Sequence, residues 1–154
     1  MADYFTNFSV VLPLPDEVAQ AYATELARQA EAVRSGEEEI PAGFPASLTD
    51  ALEDWWFETE VEASPRKHGV WLHSSNGGID AVCAFIQHLL EKFAPHGCVS
   101  LEWSHDCSKP RTVAFGGGAA FITARKIKTM NTGQWLHKQT AAHARNPKPK
   151  GGNR

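Results

Sequence analysis

Two periodicities alternate along the chain, and their order predicts its fold. Phe8, Val10 and Leu12 alternate with Ser9 and Val11, the period-two pattern of a strand that ends at Pro13. Pro15-Asp16-Glu17 then opens a helix, with proline in the first turn and acids at the positive end of the dipole. Val18, Tyr22, Leu26, Ala30 and Val33 give it an apolar stripe, and Ser35-Gly36 stops it. Residues 36–50 read as a surface connection, since Glu37-Glu38-Glu39 is followed by Pro41, Gly43 and Pro45.

Alternation returns from Trp56 to Ala63, with Phe57, Thr59, Val61 and Ala63 on one face and Glu58, Glu60 and Glu62 on the other. Ser64 to Gly69 make a turn, and Val70 to His73 form the returning strand of a hairpin. Ser74-Ser75-Asn76-Gly77-Gly78 then supplies start signals for a second helix. Its apolar face is Ile79, Val82, Cys83, Ile86, Leu89, Leu90 and Phe93, with His88 opposite and facing solvent. Strands follow at Cys98–Trp103 and Ala119–Ala124, the latter continuing toward Ile127, and a short helix occupies 132–144.

The predicted order is β-α-β-β-α-β with an additional C-terminal strand and a short terminal helix. That is the ferredoxin-like split-βαβ arrangement, an α+β fold with two helices on one face of an antiparallel sheet. Residues 1–145 make a single domain, and 146–154, with Pro147, Pro149 and Gly151-Gly152, are expected to be a disordered basic tail.

Chemistry concentrates between Trp103 and Ala119, where His105, Asp106, Cys107, Lys109 and Arg111 precede Gly116-Gly117-Gly118. This reads as one loop between strands, and such loops more often carry function than packing. Trp103-Ser104-His105 also echoes Trp71-Leu72-His73 at the end of an earlier strand. A right-handed crossover through the second helix makes these two strands parallel. Their ends then share one sheet edge with the free amides of that helix, so His73, His105, Asp106 and Cys107 are expected to converge near Asn76, Gly77 and Gly78.

Three chemistries compete for that edge. His73, His105 and Cys107 are ligand types that suit zinc, although recognisable zinc motifs pair their ligands in two clusters with about two to four residues between partners, unlike His105-x-Cys107. Cys107 beside His73 or His105 would be a nucleophile, with Lys109 and Arg111 lowering its pKa. Asn76, Gly77, Gly78, Lys109, Arg111, Gly116, Gly117 and Gly118 hold the ingredients of an anion cradle without a P-loop signature. The plainer reading has His105 and Asp106 capping a turn, Cys107 as a small buried residue, and glycines that permit tight packing.

Charge changes the picture more than composition does. Hydrophobic residues are 42% and charged residues 21%, as in ordinary globular proteins. The net charge of −3 conceals 14 acidic and 2 basic side chains in residues 1–62, against 4 acidic and 13 basic in 63–154. This polarity steers a charged partner, unless the two halves simply pair in the fold. Trp55-Trp56 and Trp71, framed by Glu58, Glu60 and Glu62, form an acidic, aromatic surface suited to a basic protein. The alternative buries these tryptophans in a second small core. Arg125-Lys126-Ile127-Lys128 and the tail offer cations to nucleic-acid phosphates. Three cysteines, no apolar run near 20 residues and no signal-peptide pattern give the cytoplasm as the expected compartment, without a membrane.

Gly69-Val70-Trp71-Leu72-His73-Ser74-Ser75-Asn76-Gly77-Gly78, Cys107-Ser108-Lys109-Pro110-Arg111 and Phe115-Gly116-Gly117-Gly118-Ala119 together resemble a family of uncharacterised small proteins carried by bacterial plasmids, integrative elements and phages. The resemblance spans the first strand to about Trp135. It implies a mobile-element accessory protein and brings no catalytic residues. The expected function is therefore stoichiometric protein binding, as for a counter-defence or immunity-like inhibitor. The alternative is a small metal- or anion-binding enzyme using the His/Cys/Asp cluster.

Overall fold

A computed structural model describes residues 1–62, 64 and 67–146. Among the described residues are six strands and three helices: β1 (Tyr4–Leu14), α1 (Glu17–Arg34), β2 (Glu58–Val61), β3 (His68–Ser74), α2 (Ile79–Phe93), β4 (Cys98–Cys107), β5 (Gly116–Thr123), β6 (Ile127–Asn131) and α3 (Thr132–Arg145). One-turn 3-10 helices at Ala46–Leu48 and Leu52–Asp54 interrupt the connection from α1 to β2. The strands form one antiparallel sheet in the order β2-β3-β1-β4-β5-β6. The fold is α+β, and the six-strand order differs from the expected ferredoxin-like sheet with one additional strand. Two strands rather than one extend beyond β4, because the Thr123–Lys126 turn folds residues 127–131 back against β5, whose start also reaches back to Gly116.

Alternation decides which side of the sheet is covered. Phe8 and Leu12 of β1, Val70 and Leu72 of β3, Leu101 of β4 and Ile122 of β5 are buried on the side that meets the helices. Buried Val82, Phe85, Ile86, Leu89 and Leu90 of α2 pack there, as its 3.6-residue period dictates. The stripe on α1 is shifted from the expected one. Ala19, Ala23, Leu26, Ala27 and Ala30 are buried, while Val18 is exposed. Small residues let α1 lie close to the sheet, and Asp16 caps it with its carboxylate on the Ala19 amide at 2.8 Å.

The opposite face of the sheet is open. It presents Val11, Trp71, Phe121 and Met130, all exposed, beside Glu58, Glu60 and Glu102. Of the expected disordered tail, residues 147–154 lie outside the described residues, as does Ala63 of the second strand. No helix among the described residues is long and apolar enough to cross a membrane.

Candidate functional site: an acidic and aromatic corner

Trp55 ends the Leu52–Asp54 3-10 helix in a tight turn, the Trp56 amide donating to the Asp54 carbonyl at 2.8 Å, and the strand β2 begins at Glu58. Trp55 and Phe57 point inward and are buried, with Trp55 only 1% exposed. Their rings lie 4.7 Å apart, and Trp55 meets Phe85 of α2 edge-on at 5.1 Å. Trp55 is therefore a core residue, which corrects its assignment to a partner surface. Trp56 faces out, 50% exposed, with the Arg34 guanidinium 4.3 Å from its ring centre. Ser74 holds its backbone in place by donating to the Trp56 carbonyl at 2.7 Å.

Beside Trp56, the pairing of β2 with β3 sets Glu58 opposite His73 and Glu60 opposite Trp71 on the open face. His73 Nε2 lies 3.2 Å from a Glu60 oxygen and 3.8 Å from a Glu58 oxygen. Its ring stacks on Trp71 at 4.0 Å, and the Trp71 indole N–H donates to Ser9 Oγ at 2.8 Å. Each member thus fixes its neighbour, and the two carboxylates are left exposed. Depressions of about 490 and 680 Å³ lie on the two sides of Trp56, both lined by Trp56, Glu58 and Asn76. Glu62, just past β2, is half-buried, and its amide donates to the Gly69 carbonyl at 3.0 Å.

The expected convergence of His73 with His105 does not occur. Both strands run antiparallel to β1 and therefore parallel to each other, with β1 between them. However, His73 pairs with Ser9 while His105 pairs with Thr6, three residues away. An odd offset places the two imidazoles on opposite faces of the sheet. His105 lies on the helix side, its Nδ1 2.9 Å from Thr6 Oγ1, in a depression of about 460 Å³ beside Asp80 and Thr132. Asp106 is on the open face, accepting from Asn7 Nδ2 at 3.1 Å, and Cys107 is a half-buried free thiol paired opposite Tyr4. His73, His105 and Cys107 consequently share no metal position. No group of three His, Cys, Asp or Glu residues among the described residues is arranged to hold a metal ion.

The anion cradle is also dispersed. Gly116, Gly117 and Gly118 belong to β5 rather than to a loop. A Cβ on Gly118 would stand 2.7 Å from Trp103 Cε2 and against the Met130 carbonyl, so glycine is there because an indole lies over the strand. The Gly117 amide is taken by Thr132 Oγ1 at 3.2 Å. Gly77 and Gly78, at φ 101° and 85°, make the left-handed turn into α2. The chain supplies its own anion to that helix end, because Asp54 accepts from the Ala81 amide at 3.3 Å. Asn76 bridges to Thr6 of β1. Lys109 accepts the Arg111 amide at its carbonyl, and the Arg111 guanidinium reaches the Tyr4 hydroxyl at 3.3 Å.

Two arrangements escape the sequence patterns. His88, expected in solvent, lies against α1 with Nε2 2.8 Å from the Tyr22 hydroxyl and its ring stacked at 5.9 Å. Burial depresses its pKa, and the nearby Lys92 lowers it further. Burial also pushes the Cys83 thiol up to about 12. The second arrangement is Arg34 on Trp56, which joins residues 22 apart and carries no local sequence signal.

Comparison with protein-family models, with curated proteins and with solved structures finds no match.

Proposed function

We propose that this protein is a mobile-element accessory protein that acts in the cytoplasm by stoichiometric binding of a host- or element-encoded protein. In this reading the β2-β3-β1-β4 portion serves as a split-βαβ scaffold, with β5 and β6 added at one edge. The partner presents a basic surface to the corner formed by Trp56, Glu58, Glu60, Trp71 and His73.

One observation carries the reading: two exposed carboxylates and a half-exposed indole stand on a rigid sheet edge, flanked by open depressions. Arg34 on Trp56 supports it further, since that ring already accepts a guanidinium on part of its surface. A tryptophan at the centre of such a contact, ringed by polar groups, is the commonest kind of binding hot spot. The carboxylates serve to orient and accelerate encounter with a basic surface. A flat corner of this kind engages another macromolecule more naturally than it encloses a small substrate.

The test is affinity capture from the native host with the wild type, Trp56→Ala and Glu58→Lys. The wild type is expected to retain a protein that both variants lose. Recovery of the same proteins by all three would rule out the corner as the interface.

A further inference from the structure

From Cys107 to Arg154 the chain holds ten lysine and arginine residues and no aspartate or glutamate. Five of them are exposed in the segment that forms the β6 edge and α3: Arg125 and Lys126 in the β5–β6 turn, Lys128 on β6, and Lys138 and Arg145 on α3. The β6 edge lies five strand positions from acidic β2, roughly 24 Å at 4.8 Å per strand. That separation is about three Debye lengths at physiological salt, so the acidic corner does not cancel the basic edge.

Among the described residues, α3 meets chiefly the neighbouring strands β5 and β6, and nothing covers its outer side. None of the 14 residues of α3 is buried, and Trp135 and Leu136 are 55% and 56% exposed. Its attachment is at the first turn, where Asn131 caps the Gln134 amide at 2.8 Å and Thr132 receives the Gly117 amide. Isolated helices of this length are marginal in water, which makes a surface that covers α3 a source of stability.

We infer that α3 and the β5–β6 turn bind duplex DNA through its phosphates, with α3 laid in the major groove. A helix about 10–12 Å across matches a groove about 12 Å wide. At 1.5 Å per residue α3 is about 21 Å long, enough to bring Lys138 and Arg145 to the backbone along one groove. Charge complementarity selects the occupant, because residues 107–154 hold ten lysine and arginine residues and no aspartate or glutamate, against single carboxylates nearby at Asp80 and Glu102. Single-stranded binding relies on rows of stacking aromatics, whereas α3 carries Trp135 alone. This surface is separate from the acidic corner and does not rest on its function.

The experiment is fluorescence anisotropy of a labelled 20-base-pair duplex with the full chain between 50 and 200 mM salt. Five neutralised phosphates give a log–log slope near −4.5, about a 500-fold loss of affinity over that range. Lys138→Glu/Arg145→Glu is expected to weaken binding and make the slope shallower by about 2, with circular dichroism unchanged. Lys67→Glu, on the hairpin at the far edge, is expected to leave the slope as it was. Absence of duplex binding at 50 mM salt, or a slope insensitive to the α3 substitutions, overturns the inference. It is overturned equally by binding to vesicles containing anionic lipid without duplex binding. Loss of self-association in the α3 variant, without duplex binding by the wild type, would assign the helix to a second copy of the chain.

Discussion

The two adjacent tryptophans offer a controlled contrast between core and surface. Trp55 is 1% exposed and packed against Phe57 and Phe85, while Trp56 is 50% exposed with Arg34 over its ring. A fully buried indole removes some 200 Å² from water, or about 5 kcal/mol at 25 cal/mol/Å², in line with 3–5 kcal/mol for truncation to alanine. Half that burial at Trp56, part of which alanine retains, leaves about 1–2 kcal/mol including the cation–π contact. Urea denaturation with an m-value of about 2 kcal/mol/M then places the Trp55→Ala midpoint about 2 M below wild type. Trp56→Ala falls by only about 0.5–1 M, with m unchanged in both. The functional readout inverts: Trp56→Ala loses the captured partner while remaining folded. Equal midpoint shifts, or a larger one for Trp56→Ala, would refute the inward and outward assignment.

Other sites give independent checks. Gly118→Ala forces a methyl against Trp103 and the Met130 carbonyl and is expected to cost about 1–3 kcal/mol, lowering Tm by roughly 3–10 °C in calorimetry. Gly133→Ala, whose Cβ would meet nothing closer than 3.5 Å, serves as the tolerated control. Because the folded state depresses the His88 pKa, the unfolded chain takes up that proton first as pH falls. Stability from this residue is full above about pH 6.5 and lost on further acidification, a dependence that urea titrations should find reduced in His88→Gln. A thiol-reactive dye on the native protein should label exposed Cys98 before Cys83, whose burial and raised pKa withhold the thiolate until unfolding.

The legible part of this fold is the part written in local periodicity. The α2 stripe, the β2–β3 hairpin and the terminal helix follow from residues within a few positions of one another. What was hidden depends on contacts across the sheet. The triple glycine reads as a loop until Trp103 is seen lying over Gly118, and the polar run His105–Cys107 reads as a loop until β1 is seen to pair with it. Register, set by pairs such as Ser9 with His73 and Thr6 with His105, decides whether two similar Trp-x-His motifs face each other. No single-strand pattern contains that parity. Trp55 was hidden as well. Its inward direction is set by the tight turn that ends the Leu52–Asp54 3-10 helix, which the strand pattern from Trp56 onward does not contain. At the candidate site, Trp56, Glu58, Glu60 and Trp71 were visible as residue types, whereas the stacking of His73 on Trp71 and of Arg34 on Trp56 required the fold.

The central claim is that the corner around Trp56 binds a basic protein surface. Its most direct measurement is the Kd of the purified captured partner for the wild type and for Glu58→Lys/Glu60→Lys, at low and physiological salt. The account predicts at least a tenfold weakening on charge reversal and a wild-type affinity that falls as salt rises. An unchanged Kd in the folded double variant would contradict it.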